Sequence, residues 1–352
     1  MTPAQGLMSP AKPHHDAHAN PAGQRFDVAG RRCYLLGIGG CGMSALARML
    51  RARGAIVSGS DAYASPVTEA LALEGTGVDF NQATGELPDD AQMVIASAAI
   101  KPDNPQLAAA MNRGLPVLTY AEALGKCMLG RTGVALAGTH GKSTTTAMLG
   151  VALTAAGLDP TVIVGATCAQ LSPDGHTPTG FRLGADAIPR GELKGRPGLL
   201  LAEACEFNRS FHNLHPTIGS ISAVEADHLD IYGSLDAVVQ SFRDFAALLP
   251  LESEGGRLII AHEGAHRREV TAGVRCAVET IGFAPGADWH IDFNRDHRRV
   301  TLSRGRDPVP SWLLPLPGEH MAFHSALASA PAGPVRPHPA RPPDGLRPFQ
   351  GG

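Results

Sequence analysis

From Arg31 onward, apolar runs of strand length alternate with stretches whose apolar residues recur every three or four positions. Residues 33–38 read as a strand, 42–53 as a helix and 55–58 as a second strand, a βαβ opening. A strand at 93–96, a helix near 106–112 and a strand at 115–118 extend the pattern. Residues 31–130 are therefore expected to form an α/β, Rossmann-like, doubly wound domain. The alternation restarts with a strand at 132–137, a helix over about 142–156, and strands at 161–164, 199–202, 218–224 and 257–260. This second series predicts a P-loop-type α/β domain over 131–316. A helix over 235–249 places Val238, Val239, Phe242, Phe245, Ala246 and Leu249 at spacings of three and four, an amphipathic face turned to a core. The two ends lack such periodicity. Residues 1–30 are rich in Pro, His, Ala and Gly, and 331–352 hold seven prolines, so both are expected to be disordered tails.

A chain of 352 residues exceeds what one core normally supports, in line with two domains. Forty-one glycines and only 5% aromatic residues suit layered α/β structure with tight strand-to-helix turns. The net charge of −3 gives no basic field for nucleic acid or an anionic membrane, so any phosphate binding must be local. No apolar run approaches the ~20 residues of a membrane helix. Six scattered cysteines with no CxxC pair argue against a disulfide framework or a zinc site, and the expected compartment is the cytoplasm.

Two glycine loops carry the candidate chemistry. The first, Gly37-Ile-Gly39-Gly40-Cys41-Gly42-Met43-Ser44, lies between a strand and a helix and satisfies GxGxxG. Glycines allow the tight turn and close backbone approach, and the helix N-terminus attracts a pyrophosphate. Asp61 follows the next strand, where an acidic residue can meet a ribose hydroxyl, although a turn or cap role is the plainer reading. The second loop, Gly138-Thr139-His140-Gly141-Lys142-Ser143-Thr144, is again strand, turn, helix. Its N–H groups can cradle phosphates, Lys142 can reach the β- and γ-phosphates, and the Ser143 hydroxyl can ligate Mg²⁺. The longer GxxxxGK[ST] pattern would need glycine where Leu136 stands, so this loop is a shorter relative. Two phosphate cradles in separate domains point to two phosphorylated ligands.

Carboxylates and a histidine complete the set. Glu203 ends a strand of the domain that carries the second loop, followed by Ala204, Cys205 and Glu206, and either meets the Mg²⁺ of bound ATP or is an ordinary solvated strand-end carboxylate. His228, beside Asp227, either ligates a second Mg²⁺ or is an ordinary strand-end histidine.

In this order and at these separations, GIGGCGMS, GTHGKSTTT, AEACE and EADHLDIYG resemble the Mur ligases, and residues 94–105 add to the likeness. The resemblance runs from Arg31 to Leu327. It implies an ATP-dependent, carbon–nitrogen bond-forming ligase of peptidoglycan precursor synthesis, with UDP-N-acetylmuramate and L-alanine as substrates and ATP and Mg²⁺ as cofactors. Gly37, Gly39, Gly40, Gly42, Met43, Ser44 and Asp61 would hold the UDP-sugar. Gly138 to Thr144 would hold ATP, and Ser143, Glu203 and His228 the metal, with Lys142, Glu203 and His228 catalytic. Cys205 stands where the family has Asp, Ala223 where it has Asn, and Met321 and His324 replace the two asparagines of its PGxHNxxN segment. Residues 317–352 are expected to be the remnant of a C-terminal domain that is otherwise missing. Alternatives are a fragment that binds UDP-sugar and ATP without catalysis, a ligase that recycles murein peptide, and a nicotinamide-dependent dehydrogenase using the first loop alone.

Overall fold

The computed structural model describes residues 25–330 apart from 192, 306, 309, 310 and 315–317. These fall into two units, 25–127 and 128 onward. Residues 1–24 and 331–352, where tails are expected, lie outside the described residues. Residues 25–30 do not belong to a loose tail: Val28 is buried and the Gly30 N–H donates to the Gly54 carbonyl at 2.8 Å.

In the first unit β1 (Arg32–Leu36), α1 (Cys41–Ala52), β2 (Ile56–Ser60), α2 (Pro66–Leu73), β3 (Gly77–Asp79), β4 (Met93–Ala96), α3 (Pro105–Asn112), β5 (Val117–Thr119) and α4 (Tyr120–Met128) follow in turn. All five strands are parallel, in the order β3-β2-β1-β4-β5. The chain reverses direction across the sheet between β1 and β4, which opens the crevice where such folds bind ligands. Local chemistry sets the helix starts. Ser65 and Asn104 cap α2 and α3 by accepting backbone N–H groups, each followed by a proline whose missing donor costs nothing there. Tyr34, Leu36, Val94, Leu107 and Ala110 bury together between sheet and helix.

The second unit continues with β6 (Thr132–Ala137), α5 (Lys142–Ala155), β7 (Thr161–Cys168), β8 (Thr179–Arg182), β9 (Leu199–Glu203), β10 (Ile218–Ile221), α6 (Leu229–Tyr232), α7 (Leu235–Ala247), β11 (Arg257–Ala261), α8 (Arg267–Thr271), β12 (Ala277–Gly282), β13 (Trp289–Asn294), β14 (Arg299–Arg304), β15 (Asp307–Pro308), β16 (Trp312–Leu313) and α9 (Glu319–Ser329). Strands β13-β12-β11-β10-β6-β9-β7 are parallel neighbours, and β14 beside β13 and β8 beside β7 add antiparallel pairs at the two ends. Residues 319–329, expected to begin a further domain, form α9 instead. Its Met321, Ala322, Ala326 and Leu327 share a core with Leu149 and Leu153 of α5.

Helix α7 buries Val238, Phe242, Phe245 and Ala246, with Leu249 just beyond its end, and leaves Val239 half-buried. Phe211 stacks on Phe245 at 5.0 Å and meets Phe242 edge-on at 5.3 Å, tying the segment after β9 to this helix. His212 stacks on Phe211, and its Nε2 lies 2.9 Å from the Ser241 carbonyl oxygen. Burial holds the His212 imidazole below the ordinary histidine range, against the pull of that carbonyl. The unfolded chain therefore takes up this proton more readily than the folded one. Stability should be intact above about pH 6.5 and fall as pH drops through the lowered value, by at most about 1.4 kcal/mol per pH unit. Thermal unfolding followed between about pH 7.5 and 5.5 checks this. A pH slope unchanged in His212→Gln would remove His212 as its source.

Candidate functional sites

In the first unit the chain leaves β1 through Gly37, at φ +78°, and enters α1 after Gly40. A side chain at Gly39 would lie 2.8 Å from Thr68 Cγ2 and 2.9 Å from Asp61 Oδ2; one at Gly42 would lie 2.9 Å from the Tyr120 ring. Both glycines are required by packing as well as by any ligand. Asp61 is committed to the loop: its Oδ2 accepts the Gly39 N–H at 2.7 Å and its Oδ1 the Ala62 N–H at 2.8 Å. Met43 and Ser44 are buried, and the Ser44 hydroxyl donates to the Cys41 carbonyl at 3.0 Å. Of the seven expected sugar-nucleotide contacts, these three side chains shape the loop. The backbone at the start of α1 offers the donors. Gly39→Val should cost about 1–3 kcal/mol of stability by overpacking. An unfolding midpoint in urea equal to that of the wild type would mean that Thr68 and Asp61 yield to the added side chain.

In the second unit β10, β6 and β9 are adjacent and parallel, so the segments after them converge at one edge. Gly138, at φ +135°, and Gly141, at φ +78°, bend the loop between β6 and α5. Thr139 braces it: its N–H donates to the Ala223 carbonyl and its hydroxyl accepts the Glu225 N–H, both at 3.0 Å. The Ser222 hydroxyl donates to the His140 carbonyl at 2.7 Å, and His140 Nε2 lies 3.7 Å from Glu225. Thr144 lies half-buried in the first turn of α5. His324 reaches the same loop from α9, its Nδ1 3.1 Å from Thr145 Oγ1. With Phe283, His320 and Phe323 it lines a cavity of about 220 Å³ beside His140.

Lys142 Nζ donates to the Gly138 carbonyl at 2.8 Å, the Thr139 carbonyl at 3.3 Å and Glu206 Oε1 at 2.9 Å. Glu206 is only 2% exposed. Its Oε2, also 2.9 Å from Nζ, is buried and accepts no hydrogen bond. Glu206, Asp227 and His228 offer ligand atoms within 4.8 Å of one another, a set able to hold a metal ion. Glu203 stands in other contacts, where Oε1 accepts the Gly165 N–H at 2.7 Å. Burial raises its carboxyl above the ordinary range, opposed by Gly165, by the Ser143 hydroxyl and by the charge of Lys142. The three expected metal ligands thus divide, with Ser143 beside Glu203, and His228 with Glu206 and Asp227.

The backbone around this cluster is strained. Asn208, Arg209 and His228 are left-handed, at φ 50°, 54° and 52°, each a costly conformation for a residue with a side chain. It is held by the Arg209 N–H on the Glu206 carbonyl at 2.9 Å, by the Tyr232 hydroxyl on the same carbonyl, and by Arg209 over the Tyr232 ring at 4.9 Å. The importance of Glu206 and Asp227 has a weak sequence signal. Glu206 follows a strand-end carboxylate by three residues and Asp227 precedes a histidine, positions where solvated carboxylates are common.

Residues 32–132 match the family model described as "Mur ligase family, catalytic domain", and 136–331 the one described as "Mur ligase middle domain". The chain is 41% identical over 306 residues to the UDP-N-acetylmuramate--L-alanine ligase of Paenarthrobacter aurescens, covering 86% of this chain and 62% of that protein. It is 36% identical over 339 residues to the enzyme of that name from Kineococcus radiotolerans, covering 94% and 68%. The chain therefore spans roughly three fifths to two thirds of the length of these relatives. Among solved structures the fold resembles a Neisseria UDP-N-acetylmuramate:L-alanyl-gamma-D-glutamyl-meso-diaminopimelate ligase, with a TM-score of 0.75 at 22% identity, covering 87% of this chain and 94% of that one. It also resembles a UDP-N-acetylmuramate-alanine ligase from Thermotoga maritima, with a TM-score of 0.69 at 21% identity, covering 86% and 65%.

Proposed function

Because this chain belongs to the Mur ligase family, we propose that it binds UDP-N-acetylmuramate on its first glycine loop and ATP on its second, and takes part in adding L-alanine to the muramic carboxylate. The observation that carries the reading is the convergence of a lysine-bearing loop and a carboxylate–imidazole cluster after three adjacent parallel strands. A separate glycine loop in the first unit supplies the second anion site.

In this reading the N–H groups of the second loop hold the triphosphate, and Lys142 Nζ contacts its terminal oxygens. The substrate carboxylate attacks the γ-phosphorus, ADP leaves, and an acyl phosphate forms. The L-alanine amine then attacks the acyl carbon, phosphate leaves with the carbon–oxygen bond pair, and the amine gives up a proton. Positioning and charge neutralisation carry most of such a transfer. A divalent cation fits the residues present, since Ser143 with Glu203, and Glu206 with Asp227 and His228, are oxygen-rich sets with one imidazole. When bound, Mg²⁺ would offset the repulsion between carboxylate and phosphate.

The test is calorimetry with UDP-N-acetylmuramate and with ATP, followed by a phosphate-release assay. Each ligand should bind once per chain without displacing the other, and phosphate should require both together with L-alanine. Mutual displacement of the two ligands would overturn the two-site reading, as would release of phosphate from ATP without the sugar nucleotide.

A further inference from the structure

We propose that Glu206 is an exchange carboxylate. It neutralises Lys142 when no nucleotide is bound, and it becomes a ligand of a divalent cation, with Asp227 and His228, when a triphosphate draws Lys142 away. The proposal rests on the reading of the second loop as a nucleotide site.

Lys142 has three donors, and all three are engaged, on Gly138, Thr139 and Glu206. Contact with a phosphate requires releasing at least one of them. Two partners are neutral carbonyls of the loop itself; only Glu206 is anionic, so the phosphate and Glu206 compete for the same charge. If Lys142 moves to phosphate, Glu206 is left as a carboxylate only 2% exposed. An uncompensated charge at that depth is strongly disfavoured. Its Oε2 accepts no hydrogen bond and rests 2.9 Å from Lys142 Nζ, so the charge on that oxygen too is offset by the lysine. Asp227 and His228 offer ligand atoms within 4.8 Å of that carboxylate, close enough to share one ion with it, and a set of carboxylates with one imidazole suits Mg²⁺ or Mn²⁺. Nucleotide and cation should therefore each strengthen the other's binding by the same factor. Glu206 acts here as a positioning residue, through Lys142 and the cation.

The experiment replaces the nucleotide by a mutation. In nucleotide-free Lys142→Ala, Mn²⁺ titrated under electron paramagnetic resonance should bind one site per chain on the order of tenfold more tightly than in the wild type. Adding Glu206→Gln to that variant should remove the site. Equal Mn²⁺ affinity in wild type and Lys142→Ala overturns the proposal. No nucleotide is present in that comparison, so it stands apart from the assignment of the ATP loop. Should Lys142→Ala fail to fold, single Glu206→Gln serves, because its amide still offers Lys142 an acceptor. With a non-hydrolysable ATP analogue bound, it should hold one Mn²⁺ per chain fewer than the wild type, and an equal count overturns the exchange. Failure of the analogue to bind the wild type would instead refute the nucleotide site.

Discussion

Lys142→Ala is expected to lose nucleotide binding and also to unfold far more easily than a surface lysine variant. Its partner carboxylate is almost wholly buried, and the lysine side chain itself is only 16% exposed. Removing one member of such a pair leaves the other charged and unpaired, which costs about 3–5 kcal/mol. In the proposed nucleotide site, losing the charge-assisted contact of Lys142 to phosphate would add about 1.5–3 kcal/mol to the binding free energy, roughly a ten- to hundredfold weakening. The two effects separate in the double variant Lys142→Ala/Glu206→Gln, which removes the stranded charge. Urea unfolding should show most of the stability restored, while calorimetry should show ATP binding still lost. A stability loss in Lys142→Ala below about 1 kcal/mol would mean that the buried pair is not what holds the loop and the segment after β9 together.

Gly138→Ala should be nearly as damaging, for a different reason. An added methyl would stand 2.0 Å from Ser222 Oγ, 3.0 Å from the Ser222 nitrogen and 3.1 Å from the Ala223 nitrogen, on a residue at φ +135°. The hydroxyl can rotate, but the two nitrogens belong to the backbone that follows β10 and cannot retreat without breaking the brace on Thr139. Overpacking and the forced backbone angle each cost about 1–3 kcal/mol. Gly114 provides the control. It too has positive φ, at +65°, but nothing lies within 4 Å of the added carbon, so Gly114→Ala should cost only about 1 kcal/mol. Comparable losses from the two substitutions, measured by thermal unfolding, would mean that the crowding at Gly138 is relieved at no expense.

These expectations also mark where the sequence is legible. The strand and helix periods locate β1, β4, β6, β9, β10 and β11 to within a few residues, because buried parallel strands are short apolar runs and the helices between them carry one apolar stripe. The hairpin of β13 and β14 is harder to see. Trp289, Ile291 and Phe293 alternate with polar residues, but the turn at 295–298 contains no glycine, and its left-handed residue is Arg298. Helix α9 is misleading in another way: the Pro-Gly before it suggests a boundary, whereas its apolar face completes the core of the preceding unit. The two glycine loops are visible as patterns because backbone geometry demands glycine. The Lys142–Glu206 pair is not visible, since sixty-four residues separate its members and only strand order brings the ends of β6 and β9 side by side. Asp61 carries a similar lesson. Its spacing suits a ribose contact, yet both of its oxygens serve the loop.

The left-handed residues Asn208, Arg209 and His228 bear on how this chain would respond to selection. Local preference and global fold disagree at these three positions, and such disagreement persists where an active arrangement requires it. Glycine at position 209 would relieve strain of about 1–2 kcal/mol but give up the guanidinium's contact with the Tyr232 ring, and glycine at 208 would relieve less, because asparagine tolerates the left-handed region better than most residues. The same changes would loosen the turn that fixes the buried carboxylate. Any variant stabilised in this way would trade geometry for durability, holding Glu206 less firmly as the turn loses its preset shape.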